Sequence, residues 1–327
     1  MTDQPIPPFR LTPFFSERVW GRPNLLPWYA ETGTQELVGE AWLTGPSSII
    51  ETGPFAGQTL ADAVSAHAAE ILAPGATPEF PLLIKLLFPN DKLSVQVHPD
   101  DAQAQAAGQP RGKTECWYVL EAVPGAAVAL GLKPGVTPEA LAASAADNTM
   151  ESLIEQVPVS VGDMIFVDAG TVHAIGPGVV LLETQQTSDI TYRLFDYGRP
   201  RELHLAQGLA VVRPQTAAGK IAPQPLPGNV ASMTPASGTA ATRLIAQRYF
   251  TVDRFDLPEG GTLVLPDTAG LSSAVVCLSG SGSVRTAAGA VDLVPGKAVI
   301  VPATSTDVQL TAATPLAIVH CFEPPAS

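Results

Sequence analysis

The chain has 327 residues, 46% of them hydrophobic, enough for one large core or two modest ones. A formal net charge of -13 argues against nucleic acid and anionic membrane as partners, because both reward a basic face. Cys116, Cys277 and Cys321 are too few and too scattered for a disulfide framework or a thiolate metal site, so reduced thiols in a cytoplasm are expected. The opening MTDQPIPPFR lacks an apolar run of signal-peptide length, and no segment approaches a membrane span, so a soluble cytoplasmic protein is expected.

In chain order, short runs rich in Val, Ile, Leu and Phe alternate with turns drawn from 32 Pro and 28 Gly, the pattern of a β sandwich or barrel. Three helices are predicted as additions to this β core. One follows Thr59 (LADAVSAHAAEIL), one has Thr137 as cap and Pro138 at its first position (PEALAASAADNTMESLIEQ), and one runs from Arg201 (RELHLAQGLAVV). From 214 to 238 the composition shifts to Pro, Ala, Gly, Ser and Thr, which predicts a linker between a domain at 1–213 and a second at 239–327. A weak repeat relates the two: VSVGDMIFVDAGTVHAI resembles LVPGKAVIVPATSTDVQL, and aligning Gly162 with Gly296 sets Asp307 opposite His173. The second domain is therefore expected to be a barrel without metal.

The stretch SVQVHPDD alternates polar and apolar residues, so a strand there sends Ser94, Gln96 and His98 to one face. GKTECWYVLEA does the same for Lys113 and Glu115. The spacing Gly162-x5-Asp168-x-Gly170-x2-His173 is similar to the second cupin motif, in which a turn brings a His into the mouth of a small β barrel; Asp168 stands where Pro is usual. Gln96, His98, Glu115 and His173 together make a suitable nitrogen and oxygen set for a divalent metal. His67, His204 and His320, by contrast, sit in contexts that favour structural roles, while Trp20 and Trp42 either line a substrate pocket or pack in the core.

FPLLIKLLFPNDKLSVQVHPDD, GKTECWYVL, AGTVHAIGPGVVLLETQQTSDITYRLFDYGR and the earlier ERVWGRPNL and GEAWLTG resemble type I mannose-6-phosphate isomerases of the shorter bacterial kind. The resemblance implies two cupin-type β barrels (jelly rolls) with a few inserted helices, and isomerisation of mannose 6-phosphate and fructose 6-phosphate. It also implies one zinc ion held by Gln96, His98, Glu115 and His173, a functional Arg193, and Glu183 close to the metal. A cis-enediolate is the costly species in such a reaction, and a metal with an adjacent cation, here Arg193, would lower its energy.

Glu183, Lys113 and a metal-bound hydroxide are all candidates for the base, and the sequence does not choose among them. Lys85 lies in the apolar run FPLLIKLLF, where an ammonium without a partner would be costly, so it is expected to meet the substrate phosphate together with Ser94. Arg199 and Lys92 are weaker candidates. The expected partner is a small sugar phosphate, with the chain a monomer or weak homodimer. Two rivals are a metal cupin dioxygenase, disfavoured by Gln96 in place of a His, and a non-catalytic sugar-phosphate-binding regulator, disfavoured because no ligand is missing.

Overall fold

The computed structural model describes residues 5–226, 238–266, 268 and 270–325. Strands dominate and the helices are short. Four antiparallel sheets stack as two jelly rolls set back to back. In the first, a seven-stranded sheet ordered Gly219–Ile221, Met164–Val167, Glu115–Ala122, Val179–Gln186, Leu82–Leu87, Val38–Trp42, Phe14–Arg22 faces a five-stranded sheet. The latter is ordered Tyr192–Phe195, Val95–Val97, His173–Ile175, Ala127–Leu132, Ile154–Pro158. An eight-stranded and a four-stranded sheet make the second jelly roll.

Side-chain alternation builds these layers. Along Glu115–Ala122, Trp117 and Val119 point inward to pack with Val128, Leu130 and Ile175 of the five-stranded sheet. Cys116 and Tyr118 point the other way, into a core shared with Val252, Val276, Ile300 and Val319 of the second jelly roll. Because both faces of the seven-stranded sheet are covered, Leu82–Leu87 is buried at every position, which is why its sequence reads as a continuous apolar run.

The chain trace departs from the expected division at two places. Phe9–Thr12 pairs with Ala298–Val301, Phe9 opposite Ile300, so the first strand belongs to the sheet of the second jelly roll. Within the expected linker, Gly219–Ile221 edges the seven-stranded sheet and Gln224–Pro225 edges the eight-stranded one, while residues 227–237 lie outside the described residues.

The helices are shorter than expected. The first breaks at His67, whose ring packs on Phe55 at 4.7 Å, into Leu60–Ala66 and Ala68–Ile71. The second, Pro138–Asp147, is capped by Thr137 as its sequence demands but stops at Asn148 in the left-handed region, and Ile154–Pro158 is a strand. The third spans only Leu205–Val211.

Candidate active site

Two rows of side chains face each other inside the first jelly roll. Across the five-stranded sheet, Arg193, Gln96 and His173 stand in register on adjacent strands. Across the seven-stranded sheet the row is Trp42, Lys85, Glu183, Trp117. The rings of His173 and Trp117, 5.5 Å apart, show that the rows meet.

His98, Glu115 and His173 bring their ligand atoms within 4.8 Å of one another. Nδ1 of His98 lies 2.9 Å from the Ile190 carbonyl and Nδ1 of His173 lies 2.9 Å from the Thr171 carbonyl. A carbonyl only accepts, so both Nδ1 atoms carry the proton and both Nε2 atoms are left as acceptors facing the cluster, the arrangement found behind metal-bound imidazoles. Those Nε2 atoms approach Glu115 at 3.5 and 3.4 Å. Glu115 is 0% exposed and its Oε1 has no hydrogen-bond partner, an arrangement that is costly unless a cation sits there. Burial holds His98 well below the usual imidazole range and brings His173 to about 4, so both rings are neutral ligands at pH 7. The side-chain amide nitrogen of Gln96 lies 3.2 Å from His173 Nε2, beside the trio. The residues fit a divalent metal.

Beside this group lies an acid and base cluster. The Lys113 ammonium contacts Glu115, lies 3.3 Å from His98 Nε2 and lies 4.0 Å from Glu183. Burial pulls its pKa down, but the Glu115 and Glu183 carboxylates outweigh it and raise it. Burial pushes the Glu183 carboxyl above its ordinary value, opposed by Lys113 and Lys85, and Trp117 Nε1 donates to it at 3.1 Å.

Lys85, expected to meet the substrate phosphate, has carboxylates of the protein around it. Its ammonium, 2% exposed, is ringed by Glu183 at 3.6 Å, Asp189 at 3.6 Å and Glu40 at 3.9 Å, with the Trp42 ring 4.7 Å away. Three carboxylates arriving from separate segments offset its charge.

A cavity of about 410 Å³ opens onto these groups, lined by Ser94, Gln96, Lys85, Lys113, Glu183 and Arg193 among others. Arg18 and Arg201, which sequence reasoning passed over, line it too. Burial and the nearby Arg201 lower the Arg193 pKa, with Arg18 adding to the effect, so the three guanidiniums share one region. Arg193 donates from Nη1 to the Glu202 carbonyl at 2.7 Å, but its buried Nε has no partner. The weaker candidates are committed elsewhere: Lys92 pairs with Glu151, and Arg199 with Asp196 and Asp91. Arg18 sits in ERVWGR and Glu40 in GEAWLTG, both already distinctive stretches, so their placement was the readable signal.

A chain of hydrogen bonds reaches the site from the second jelly roll. Tyr249 donates to Asp101 at 2.7 Å; Asp101 accepts from the Gln186 amide at 2.9 Å; and Gln186 accepts from the Thr114 N–H at 2.9 Å, between Lys113 and Glu115.

A jelly roll with a buried trio of this kind beside a polar cavity defines a metal-dependent enzyme of the cupin class. Residues 9–126 match the family model described as "Phosphomannose isomerase type I, catalytic domain". The mannose-6-phosphate isomerase of Streptococcus mutans is 34% identical over 267 residues, covering 77% of this chain and 79% of that protein. The crystal structure of the mannose 6-phosphate isomerase from Bacillus subtilis superposes with a TM-score of 0.83 at 27% identity, covering 96% and 99% of the two chains. A zinc-bound mannose 6-phosphate isomerase shares the fold, with a TM-score of 0.72 at 17% identity over 97% and 99%. The chain belongs to the type I phosphomannose isomerase family.

Proposed function

We propose that this chain is a zinc-dependent isomerase that interconverts mannose 6-phosphate and fructose 6-phosphate through a cis-enediolate. The observation that carries this reading is the convergence of two Nε2 acceptors and the unpartnered Glu115 oxygen beside a cavity that also presents Glu183, Lys113 and Arg193. Gln96, His98, Glu115 and His173 would hold the zinc, which supplies Lewis-acid polarisation of the sugar oxygens when bound. The zinc-bound relative supports that choice of metal.

Glu183 is the base in this reading. Its burial raises its proton affinity toward what abstraction from carbon requires, whereas the charged Lys113 is suited to give a proton to oxygen. Arg193 offers its unpartnered Nε–H to the developing oxyanion. Arg18 and Arg201, with Ser94, supply donors for the phosphate, a role they fill better than Lys85, which orients Glu183 instead. Gln96 disfavours the dioxygenase alternative. The three free, buried cysteines support a reducing, cytoplasmic setting.

The test is metal content of the purified protein and turnover of mannose 6-phosphate before and after chelation, run also in deuterated water. Zinc-dependent turnover with solvent deuterium entering C1 or C2 is expected. Turnover without solvent label would replace the enediolate by a hydride shift, and turnover without metal would remove the zinc.

A further inference from the structure

The second jelly roll repeats the register of the first across four central strands. Its row Asp253, His320, Val275, Val299 matches Lys85, Glu183, Trp117, Ile165, with Val299 and Ile165 each three residues past a glycine of positive φ, Gly296 and Gly162. One alternation further, Ser273 opposite Val301 takes the place of Glu115 opposite Val167. By the same alignment Ser305 corresponds to Thr171 and Asp307 to His173. At this equivalent position lies a cavity of about 170 Å³, lined by Ser273, Ser305, Asp307 and His320 and, on its apolar side, Leu265 and Val308.

Three of its polar atoms are not satisfied by the protein. Among the described residues, the Ser273 and Ser305 hydroxyls and His320 Nδ1 are buried without a hydrogen-bond partner, and Ser273 and His320 are each 1% exposed. Three such atoms around one cavity imply an occupant, because each would otherwise forfeit its hydration. The occupant is not a metal ion, since a serine hydroxyl replaces the carboxylate and an aspartate the imidazole. Nor is it a phosphate: no Lys or Arg is among the described lining residues, and Arg243, the cation in the neighbouring register position, is held by Asp253 through Nε at 2.8 Å and Nη2 at 3.0 Å.

Hydroxyls both donate and accept, as serine and neutral imidazole require, and a ring or chain bearing them has C–H faces to lay on Leu265 and Val308. We infer that this cavity is a second site, separate from the catalytic pocket, for a small neutral polyol or unphosphorylated monosaccharide.

The experiment uses the full-length zinc-loaded protein with 15N-labelled histidine. Only five histidines are present, so the His320 ring signals can be assigned by a His320→Gln variant. Glycerol, D-mannose and D-fructose are titrated with the catalytic pocket saturated by fructose 6-phosphate. A saturable shift of the His320 resonances at millimolar concentration is expected for at least one probe, weakened ten-fold or more by Ser273→Val or, should that variant not fold, by Ser305→Ala. His320 signals indifferent to all three probes would mean that water alone fills the cavity. A response to inorganic phosphate instead, or a shift that disappears once fructose 6-phosphate is added, would equally overturn the inference.

Discussion

In the first jelly roll the inward row reads Trp42, Lys85, Glu183, Trp117; in the second the same register positions hold Arg243, Asp253, His320, Val275. Both rows are built on the same strand order and the same glycine turn. One gathers ammonium, carboxylates and imidazoles around a polar cavity, and the other continues into an apolar core of Phe255, Val284, Val299 and Leu310. The backbone scaffold is thus indifferent to chemistry, which depends on a handful of inward side chains. Four expectations probe that contrast.

The largest effect belongs to the ligand position. His173→Ala should strip the metal and lower activity by at least roughly 10³-fold, since the electrostatic stabilisation it anchors is the main source of rate. Asp307→Ala, at the equivalent place, should leave metal content and turnover unchanged. Stoichiometric zinc retained by His173→Ala, measured by elemental analysis, would break the comparison at its centre.

Next come the two cations of the catalytic rows. Arg193→Ala should reduce kcat and kcat/KM together by about 10²- to 10³-fold with zinc content intact, as expected for a donor used mainly in the transition state. Lys85→Met should act differently, because it leaves Glu40, Glu183 and Asp189 crowded without their shared cation. Removing one partner of a buried ion group costs about 3–5 kcal/mol, so denaturant unfolding should show a loss of that order. A Lys85→Met variant of normal stability whose only defect is a raised KM would return Lys85 to the phosphate.

A smaller effect is expected where the second jelly roll reaches into the first. Tyr249→Phe removes one hydroxyl from the chain through Asp101 and Gln186 to Thr114. The net loss of about 0.5–1.5 kcal/mol for a hydrogen bond corresponds to roughly two- to ten-fold, expected in kcat/KM and in faster zinc release. Kinetics and zinc release identical to the unmodified protein would reduce the second jelly roll to packing.

The last effect is a pH slope, visible only in acid. Burial, with Arg243 nearby, lowers the His320 pKa to about 3. An unfolded chain protonates a histidine near about 6.5, so between these values the unfolded state binds more protons and stability falls as pH drops. One such group gives a slope approaching about 1.4 kcal/mol per pH unit. Replacing His320 by Gln should flatten the stability profile between pH 6 and pH 4, measured by denaturation on chelator-treated protein; an unaltered slope would mean that His320 takes up its proton in the folded state.

Much of the site was legible because its cues are local. Ser94, Gln96 and His98 alternate along one short stretch around Val95–Val97, Lys113 and Glu115 alternate at the start of Glu115–Ala122, and Gly162 with Gly170 announces the turn before His173. The partners of Lys85 were not legible, since Glu40, Glu183 and Asp189 reach it from separate segments of the chain. Nor was the departure of Phe9–Thr12 to a sheet whose partner strand is Ala298–Val301. Helix ends were read too long because His67 and Asn148 break the helices through local backbone geometry that helical periodicity does not signal.

The sequence by itself determined the β class and which side chains of each short stretch share a face, because alternation and turn formation depend on residues adjacent in the chain. Only the tertiary structure decided which charges neutralise one another, which arginines share the catalytic cavity, and that a hydroxyl of the second jelly roll supports the first. Those outcomes depend on sheet register and on layers meeting across large sequence separations, and no short stretch of residues carries that information.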